Sequence, residues 1–386
     1  MKIVHISLSG PYTEGWSYHE NLLPYWHMSL GNQVTLIARN SKYNEKGEIV
    51  PCEPEKKMQD NGILLYRLRI KNRKINSWIK PKRSQLIKIL IEEKPDYIWI
   101  HGVMNHFLKY VVEYKKKYNS DVIISADNHT DFYNYKNDLL RRINLVFLRL
   151  RLKSIKKYIN MFYGVTPGRC DFLHDQLGIE NDKIKLSLQG GNPDEIDYES
   201  KETINKNIRK KYGIPENSFI YVTGGKLDNK KKIIELIKSF SFSSSKNIRL
   251  LIFGSISKEI LKDFKEMCSM DDRIIYIGWL NTSDTNNVFL SSNLGIFPGG
   301  HSVLWEQALS CGLPCAFERR KGFEHVFSGG SECLQYSVDN QIQFDFDNFP
   351  LSDDYFKIMQ KAQTTRTKFL YSDIARETIK DFAETH

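Results

Sequence analysis

The sequence predicts an α/β protein made of two successive, doubly wound parallel halves, and three observations carry that prediction. Short apolar, β-rich runs alternate with segments of helical period, the signature of parallel βα units. The pattern pauses at a polar stretch, 190–207, and then restarts. The length, 386 residues, suits two domains of ordinary size better than one.

In the first half the apolar runs predict strands at Ile3–Leu8, Val34–Ala38, Leu64–Ile70, Tyr97–Ile100, Val122–Ala126 and Phe162–Val165. Helix-period segments such as Tyr18–Leu30 and His106–Lys117 lie between them. In the second half strands are expected at Phe219–Thr223, Arg249–Phe253, Ile274–Ile277, Leu294–Phe297 and Cys315–Phe317. Helices are expected at Lys231–Phe242, Lys258–Cys268, Ser302–Cys311 and Tyr355–Tyr371. The resulting division is an N-terminal domain at 1–195, a C-terminal domain at 196–368, and a final helix over 369–386 returning toward the first domain. Two such halves present ligands at the carboxyl ends of their strands.

Composition narrows the class. Apolar residues make up 41% of the chain, enough for a packed core in each half. No apolar run approaches the ~20 residues of a membrane span, and Met1–Ile6 reads as a first strand rather than a signal peptide. A cytoplasmic chain is therefore expected. The six cysteines are scattered; Cys311 and Cys315 have no second pair to complete a zinc site, so reduced, mostly buried thiols are expected. The net charge of +10 is clustered. No acid lies between Asp60 and Glu92, where Arg67, Arg69, Lys71, Arg73, Lys74, Lys80, Lys82, Arg83 and Lys88 fall. A second acid-free stretch, Leu139–Tyr158, holds Arg141, Arg142, Arg149, Arg151, Lys153, Lys156 and Lys157. Within it Leu139, Ile143, Val146, Phe147 and Leu150 follow helical spacing. That pattern fits an interfacial helix on an anionic membrane, or a core-facing helix with a solvated basic back. No DNA- or RNA-binding module accompanies the basic clusters, so nucleic acid is not an expected partner.

Four stretches could carry chemistry. Ser9–Ser17 leads from the first strand into the first helix, and its Gly10 and Gly15 allow either a close backbone approach to an anion or a plain turn. It is not G-x-G-x-x-G, and Ala38-Arg39-Asn40 puts no acid at the end of the second strand for an NAD ribose, which disfavours a dehydrogenase. After the fifth strand, Asp127-Asn128-His129-Thr130-Asp131 offers His129 to donate to a bound oxygen or move a proton, unless Asp127 or Asp131 simply satisfies it. His101, ending the fourth strand, is a weaker candidate.

Gly224-Gly225-Lys226-Leu227-Asp228-Asn229-Lys230-Lys231-Lys232 joins two glycines and a lysine cluster ahead of a helix. It reads as a diphosphate cradle or as a solvated basic loop. The most informative stretch is Phe297–Pro314. There Pro298-Gly299-Gly300-His301 turns the chain into a helix beginning near Ser302, whose free amides at Ser302 and Val303 can meet phosphate oxygens. Glu306 falls on the same face as Ser302. It suits two hydroxyl hydrogen bonds, as from a ribose, or else a surface salt bridge.

Together these stretches resemble the retaining GT-B glycosyltransferases grouped as family 4, over nearly the whole chain and more loosely in the N-terminal half. The family's G-R-L-x-x-x-K-G loop is similar to 225–232 here, with Lys226 at the arginine position and Lys231 at the phosphate-binding lysine. Ile277-Gly278-Trp279-Leu280 resembles the loop whose backbone reads the nucleobase. Residues 306–314 resemble E-A-M-A-C-G-x-P, which places Glu306 on the donor ribose. The glutamate that opens the family's E-x7-E motif is replaced by Pro298. The opening 10–24 is also similar to bacterial surface-polysaccharide glycosyltransferases of the capsule type.

The resemblance implies GT-B architecture, two Rossmann-like domains facing across a cleft. It implies transfer of a sugar with retention from a donor such as a UDP- or GDP-sugar to a hydroxyl of a glycan, in particular a lipid-linked oligosaccharide; the basic segments, read as an interfacial helix, would place the protein peripherally at the inner face of the membrane. Lys231 and Lys226 would neutralise the departing diphosphate, and His129 and Gly15 would contribute from the other domain. The donor would be bound by Gly225, Trp279, Leu280, Gly299, Gly300, His301, Ser302, Val303 and Glu306. No cofactor and no metal are expected, since no D-x-D cluster is evident. Two other readings stay open. A degenerate GT-B scaffold or glycan-binding partner fits the lost glutamate at 298. A sugar-nucleotide 2-epimerase would need several acidic and histidine groups around the sugar.

Overall fold

The computed structural model describes residues 1–44, 48–70, 81–132, 139–337 and 341–385, the side chains of 139–141 and 385 excepted. Of the first basic cluster, Lys71, Arg73, Lys74 and Lys80 lie outside the described residues, as do the side chains of Leu139 and Arg141 in the second. The chain divides into two compact units, Met1–Leu188 with Ile374–His386, and Gln189–Asp373.

The N-terminal unit contains β1 (Lys2–Ser7), β2 (Gln33–Arg39), a hairpin of β3 (Ser41–Tyr43) and β4 (Ile49–Pro51), then β5 (Lys56–Met58), β6 (Leu64–Leu68), β7 (Tyr97–Ile100), β8 (Ile123–Asn128), β9 (Met161–Gly164) and β10 (Ile184–Leu186). Eight of these form one sheet, ordered β10-β9-β8-β7-β1-β2-β6-β5. Every pairing in it is parallel except β5 with β6. All of β7 and β8, and β1 after Lys2, are buried. Strands covered on both faces read as unbroken apolar runs, which is why the sequence shows them so clearly. The order reverses at β1, whose neighbours are β2 and β7, so Ser9-Gly10 and His101-Gly102 leave the sheet side by side.

The C-terminal unit contains β11 (Phe219–Leu227), β12 (Ile248–Ile256), β13 (Ile274–Tyr276), β14 (Leu294–Phe297), β15 (Cys315–Glu318), β16 (Ser331–Tyr336) and β17 (Ile342–Gln343). Their order is β13-β12-β11-β14-β15-β16-β17, parallel except for β16 with β17. Here the order reverses between β11 and β14. A doubly wound sheet binds ligands at the carboxyl ends of the strands flanking such a reversal.

Three readings of the sequence are corrected. The first concerns the boundary, which falls before Gln189 rather than after 195. Gly190 lies so close to Phe369 that a Cβ there would meet the Phe369 carbonyl at 1.8 Å. Gly191 N donates to Phe369 O at 2.9 Å, and Tyr371 N donates to Gly191 O at 3.1 Å. Residues 369–373 therefore stay with the C-terminal unit, and the segment joining the N-terminal unit begins at Ile374. Second, part of the polar stretch is the helix Lys201–Tyr212, which packs on the helix Thr282–Ser291. Third, Gly224, Gly225 and Lys226 are not loop residues but the end of β11. Among the thiols, Cys311 and Cys315 are buried and the other four are half-buried.

Candidate functional site

In the C-terminal unit the site is built where β11 and β14 end. A short 3-10 turn, Asn229–Lys231, follows β11, capped by the Asp228 carboxylate, which accepts from Lys230 N at 3.0 Å. The chain leaving β14 passes directly over this turn. A Cβ on Gly299 would lie 2.3 Å from both Lys230 O and Lys231 Cα, so only glycine permits the approach. Gly300 N donates to Lys230 O at 2.9 Å. Lys231 Nζ in turn donates to the carbonyls of Gly300 and His301, the latter at 3.2 Å. The ammonium is half-buried and held on carbonyl oxygens. Burial, opposed by Asp228 and reinforced by Arg320, lowers its pKa to about 8.

Glu306 is not a surface residue; it is 1% exposed. Its Oε1 accepts from His301 Nε2 at 2.7 Å and from His325 Nε2 at 2.8 Å. Burial alone would raise its pKa, but the two imidazoles outweigh burial and hold the carboxyl well below its ordinary range. Among the described residues, Oε2 is buried with no hydrogen-bond partner. A buried acceptor without a donor is costly, and this one is what a ligand hydroxyl would satisfy. The capacity for new hydroxyls is thus on one oxygen, not two. His301 is fixed as well, its ring stacked on Phe323 with centroids 4.5 Å apart.

Behind these groups lies a run of close backbone contacts. Gly225 and Gly254 pair across β11 and β12 with φ of +115° each, and a Cβ on Gly254 would meet Gly225 O at 1.9 Å. Gly254 N donates to Gly278 O at 2.7 Å. That bond ties down the loop carrying Trp279, which is 74% exposed, and the half-buried Leu280. A Cβ on Gly225 would touch the Leu304 side chain at 3.0 Å, so Gly225 adjoins the start of the helix Leu304–Ser310. That start is later than the sequence suggests: Ser302 and the exposed Val303 precede the helix, with Ser302 O accepting from Trp305 N at 2.9 Å. Lys226 is exposed at the end of β11.

The N-terminal unit holds Gly15, in an exposed turn at φ +74°, and His129. His129 Nε2 lies 3.3 Å from Asp127 Oδ1, and its side chain is 40% exposed. Asp127 is fully buried and organises its surroundings. It accepts from Gly102 N at 2.7 Å and Trp99 Nε1 at 3.0 Å, while His19 Nε2 and His101 Nδ1 each lie 3.2 Å from Oδ2. Burial pushes its pKa up, yet the surrounding imidazoles win and keep it ionised. Beyond His101 a file of rings continues inward: His101 Nε2 to His5 Nδ1 at 3.1 Å, His5 Nε2 to His27 Nδ1 at 3.0 Å, and His27 Nε2 to Thr378 Oγ1 at 2.8 Å.

The helix Leu139–Ile155 settles which apolar residues face the core. Leu145, Leu148, Leu152 and Ile155 are buried, whereas Ile143, Val146, Phe147 and Leu150 are 44–63% exposed. The stripe at 143, 146, 147 and 150 therefore faces outward, beside the exposed Arg142, Arg149 and Lys153. Among the described residues no helix is long and apolar enough to cross a membrane.

Lys231, Gly299, Gly300, His301 and Glu306 are thus brought together, with Gly225 beside them. Sequence reasoning missed His325, Arg320 and the central place of Asp127. The signal for the first two was position: both follow β15, a parallel strand adjacent to β14. Two trios, His301–Glu306–His325 and His19–His101–Asp127, have ligand atoms within 4.8 Å of one another and could share a metal ion, although the hydrogen bonds and ion pairs above account for both.

Comparison with known proteins agrees with this fold. Residues 204–341 match the family model described as "Glycosyl transferases group 1", a span that includes Lys231, the Gly299–His301 turn, Glu306 and His325. An uncharacterized glycosyltransferase of Methanocaldococcus jannaschii is 22% identical over 274 residues, a match spanning 66% of this chain and 66% of that protein. A glycosyltransferase structure from Rickettsia africae superposes with a TM-score of 0.70 at 14% identity, covering 100% of this chain and 98% of that one. Anabaena HepE, solved in complex with UDP, gives a TM-score of 0.70 at 12% identity with both chains fully covered (100%). The UDP-GlcNAc 2-epimerase of Neisseria meningitidis gives 0.62 at 13% identity, again covering 100% of each chain. The chain therefore has the GT-B fold, and residues 204–341 of its C-terminal unit are similar to the glycosyl transferases group 1 model.

Proposed function

We propose that the whole chain is a retaining glycosyltransferase that moves a sugar from a nucleoside-diphosphate donor to a hydroxyl of a lipid-linked glycan, in bacterial surface-polysaccharide assembly. One observation carries the donor site: the Gly299–His301 turn joins a carbonyl-held Lys231 ammonium to the Glu306 carboxylate with its one unsatisfied buried oxygen. The first suits a diphosphate and the second a ribose hydroxyl. In this reading Lys231, with Lys226 beyond it, stabilises the charge that develops on the diphosphate as the glycosidic bond breaks. Glu306 and the Trp279–Leu280 loop hold the nucleoside, and the backbone of Gly299–Gly300 with Ser302 and Val303 borders the diphosphate and the sugar. Gly15 and His129, in the N-terminal unit, are assigned to the acceptor. The departing phosphate takes the acceptor proton, so no metal and no protein base is required. UDP-glucose bound to HepE supports a nucleotide sugar as donor class. The outward apolar stripe at 143–150 among arginines supports an acceptor presented at an anionic membrane surface.

The Asp127 cluster favours a second reading. It supplies the histidine and carboxylate groups that a sugar-nucleotide 2-epimerase needs. A nucleotide-sugar panel scored by thermal stabilisation identifies the donor, because a ligand binding only the folded state raises its melting temperature. Product analysis then separates the readings. Sugar transferred with unchanged anomeric configuration only when an acceptor glycan is present supports the transferase, an inverted linkage removes retention, and an epimer formed without acceptor establishes the epimerase.

A further inference from the structure

Arg320 belongs to no motif singled out in the sequence, yet its position is set by the same sheet geometry as the Gly299–Gly300 turn. β14 and β15 are parallel neighbours with Phe297 opposite Phe317. Gly300 and Arg320 each stand three residues beyond that pair. A Cβ on Gly300 would lie 3.8 Å from Arg320 Nη1. The guanidinium is oriented by Glu318, which accepts from Nε at 2.8 Å and lies 2.6 Å from Nη2. This grip leaves Nη1 turned toward the glycine turn. Glu318 is itself shared, since Lys232 Nζ donates to its other oxygen at 2.9 Å. Around the turn, Lys232 and Arg320 thus share the Glu318 carboxylate, while Lys231 is held by carbonyl oxygens with Asp228 acting on it through charge. Arg320 thus has only a shared carboxylate to offset it, at the mouth of parallel strands.

We infer that Arg320 is a second anion-binding residue of the donor site, its Nη1 donating to an anionic oxygen of the donor. The inference rests on the donor-site reading above and adds to it a cation from a different strand. A planar guanidinium suits an oxyanion better than an ammonium does, because its donors lie in a fixed fork. The oxyanion has two sources, the diphosphate or a carboxylate on the transferred sugar as in a hexuronosyl donor. With proline rather than an acidic side chain at 298, and cations at 231 and 320, this border of the turn suits a negatively charged group of either kind.

The test measures dissociation constants for inorganic pyrophosphate, UDP, GDP, UDP-glucose and UDP-glucuronate with the full-length chain. Arg320→Ala should weaken binding by about 10- to 100-fold, the range for a lost hydrogen bond to a charged group. Arg320→Lys should fall between it and the unaltered protein. A loss shared by pyrophosphate and every diphosphate assigns the oxyanion to the diphosphate; a loss confined to UDP-glucuronate assigns it to the sugar carboxylate. Glu318→Gln, which removes the neutralising acid, should tighten anion binding several-fold, a gain that misfolding cannot mimic. Unchanged affinities in Arg320→Ala, with the unaltered protein binding these anions, overturn this inference alone. An unaltered protein that binds neither pyrophosphate nor any of the nucleotides overturns the donor-site reading and the inference with it.

Discussion

His301 Nε2 lies 2.7 Å from Glu306 Oε1, five residues away in sequence. The contact changes what each residue can be expected to do. From the sequence, both are expected to bind the donor, Glu306 through the ribose. In the structure His301 and His325 share the duty of fixing Glu306, and the single open acceptor is Oε2.

Glu306→Ala should weaken free nucleoside diphosphate and intact donor by similar factors, corresponding to about 1–3 kcal/mol for unpaired hydroxyls. His301→Ala should weaken both ligands too, because it releases Glu306, with any extra loss for the sugar-bearing donor measuring direct sugar contact. His325→Phe should reproduce the shared part only. Calorimetry on the three variants with both ligands supplies the comparison. Unaltered nucleotide affinity in Glu306→Ala would place the nucleoside elsewhere.

Lys231 should be needed for turnover, and in a pH-dependent way. Lys231→Met should lower kcat by about 100-fold, by analogy with losing one donor to developing charge. The ammonium is half-buried with two carbonyl partners, so a modest fall in melting temperature should accompany the loss. With a pKa near 8, the ammonium is present below that pH and lost above it. The kcat/KM of the unaltered enzyme, which reports groups of the free protein, should therefore decline as pH rises through 8. A flat profile between pH 7 and 9 would show that this charge does not act.

Much of the fold is legible in the sequence because buried parallel strands are continuous apolar runs; Tyr97–Ile100 and Leu294–Phe297 match the structure residue for residue. Lys231 and Glu306, assigned above to the diphosphate and the ribose, were legible as candidates because each lies in a local motif, a lysine after β11 and a glutamate after β14. Their partners were not. His325 and Arg320 reach the site through strand adjacency, which depends on sheet order, and Asp127 gathers His19, His101 and His129 from separate elements. Lys201–Tyr212 reads as linker because none of its residues is buried, which removes the apolar face that marks a helix.

The outward stripe of the helix Leu139–Ile155 gives a membrane prediction. The chain should sediment with vesicles containing anionic lipid at low salt and remain free with neutral ones, since each basic residue near such a surface contributes roughly 1 kcal/mol. Phe147→Asp should reduce binding without lowering the melting temperature, because Phe147 is 59% exposed. Equal partitioning onto neutral and anionic vesicles would end this assignment.

The histidine file predicts an acid limit to stability. His5, His19 and His27 are fully buried, and burial is the main cause lowering each, to about 4 for His19, about 3 for His27 and well below 6.5 for His5. Their fold therefore excludes a proton that the unfolded chain accepts once pH drops below 6.5, the ordinary value. Unfolding then takes up protons, and stability falls with falling pH from there down to about 4 for His19 and about 3 for His27, as linkage requires. Asp127, held ionised by its partners, acts in the same direction at still lower pH. The melting temperature should be level from pH 8 to 7 and decline progressively toward pH 5. Thr378 connects this file to the segment after Ile374, where it partners His27 at 2.8 Å and is itself buried. Removing residues 374–386 should expose His27, lower the melting temperature at pH 7.5, and flatten its dependence on acid because fewer rings remain shielded. A full-length protein whose melting temperature is the same at pH 7.5 and 5 would mean that the rings are already protonated or reached by water in the folded state, contrary to their burial.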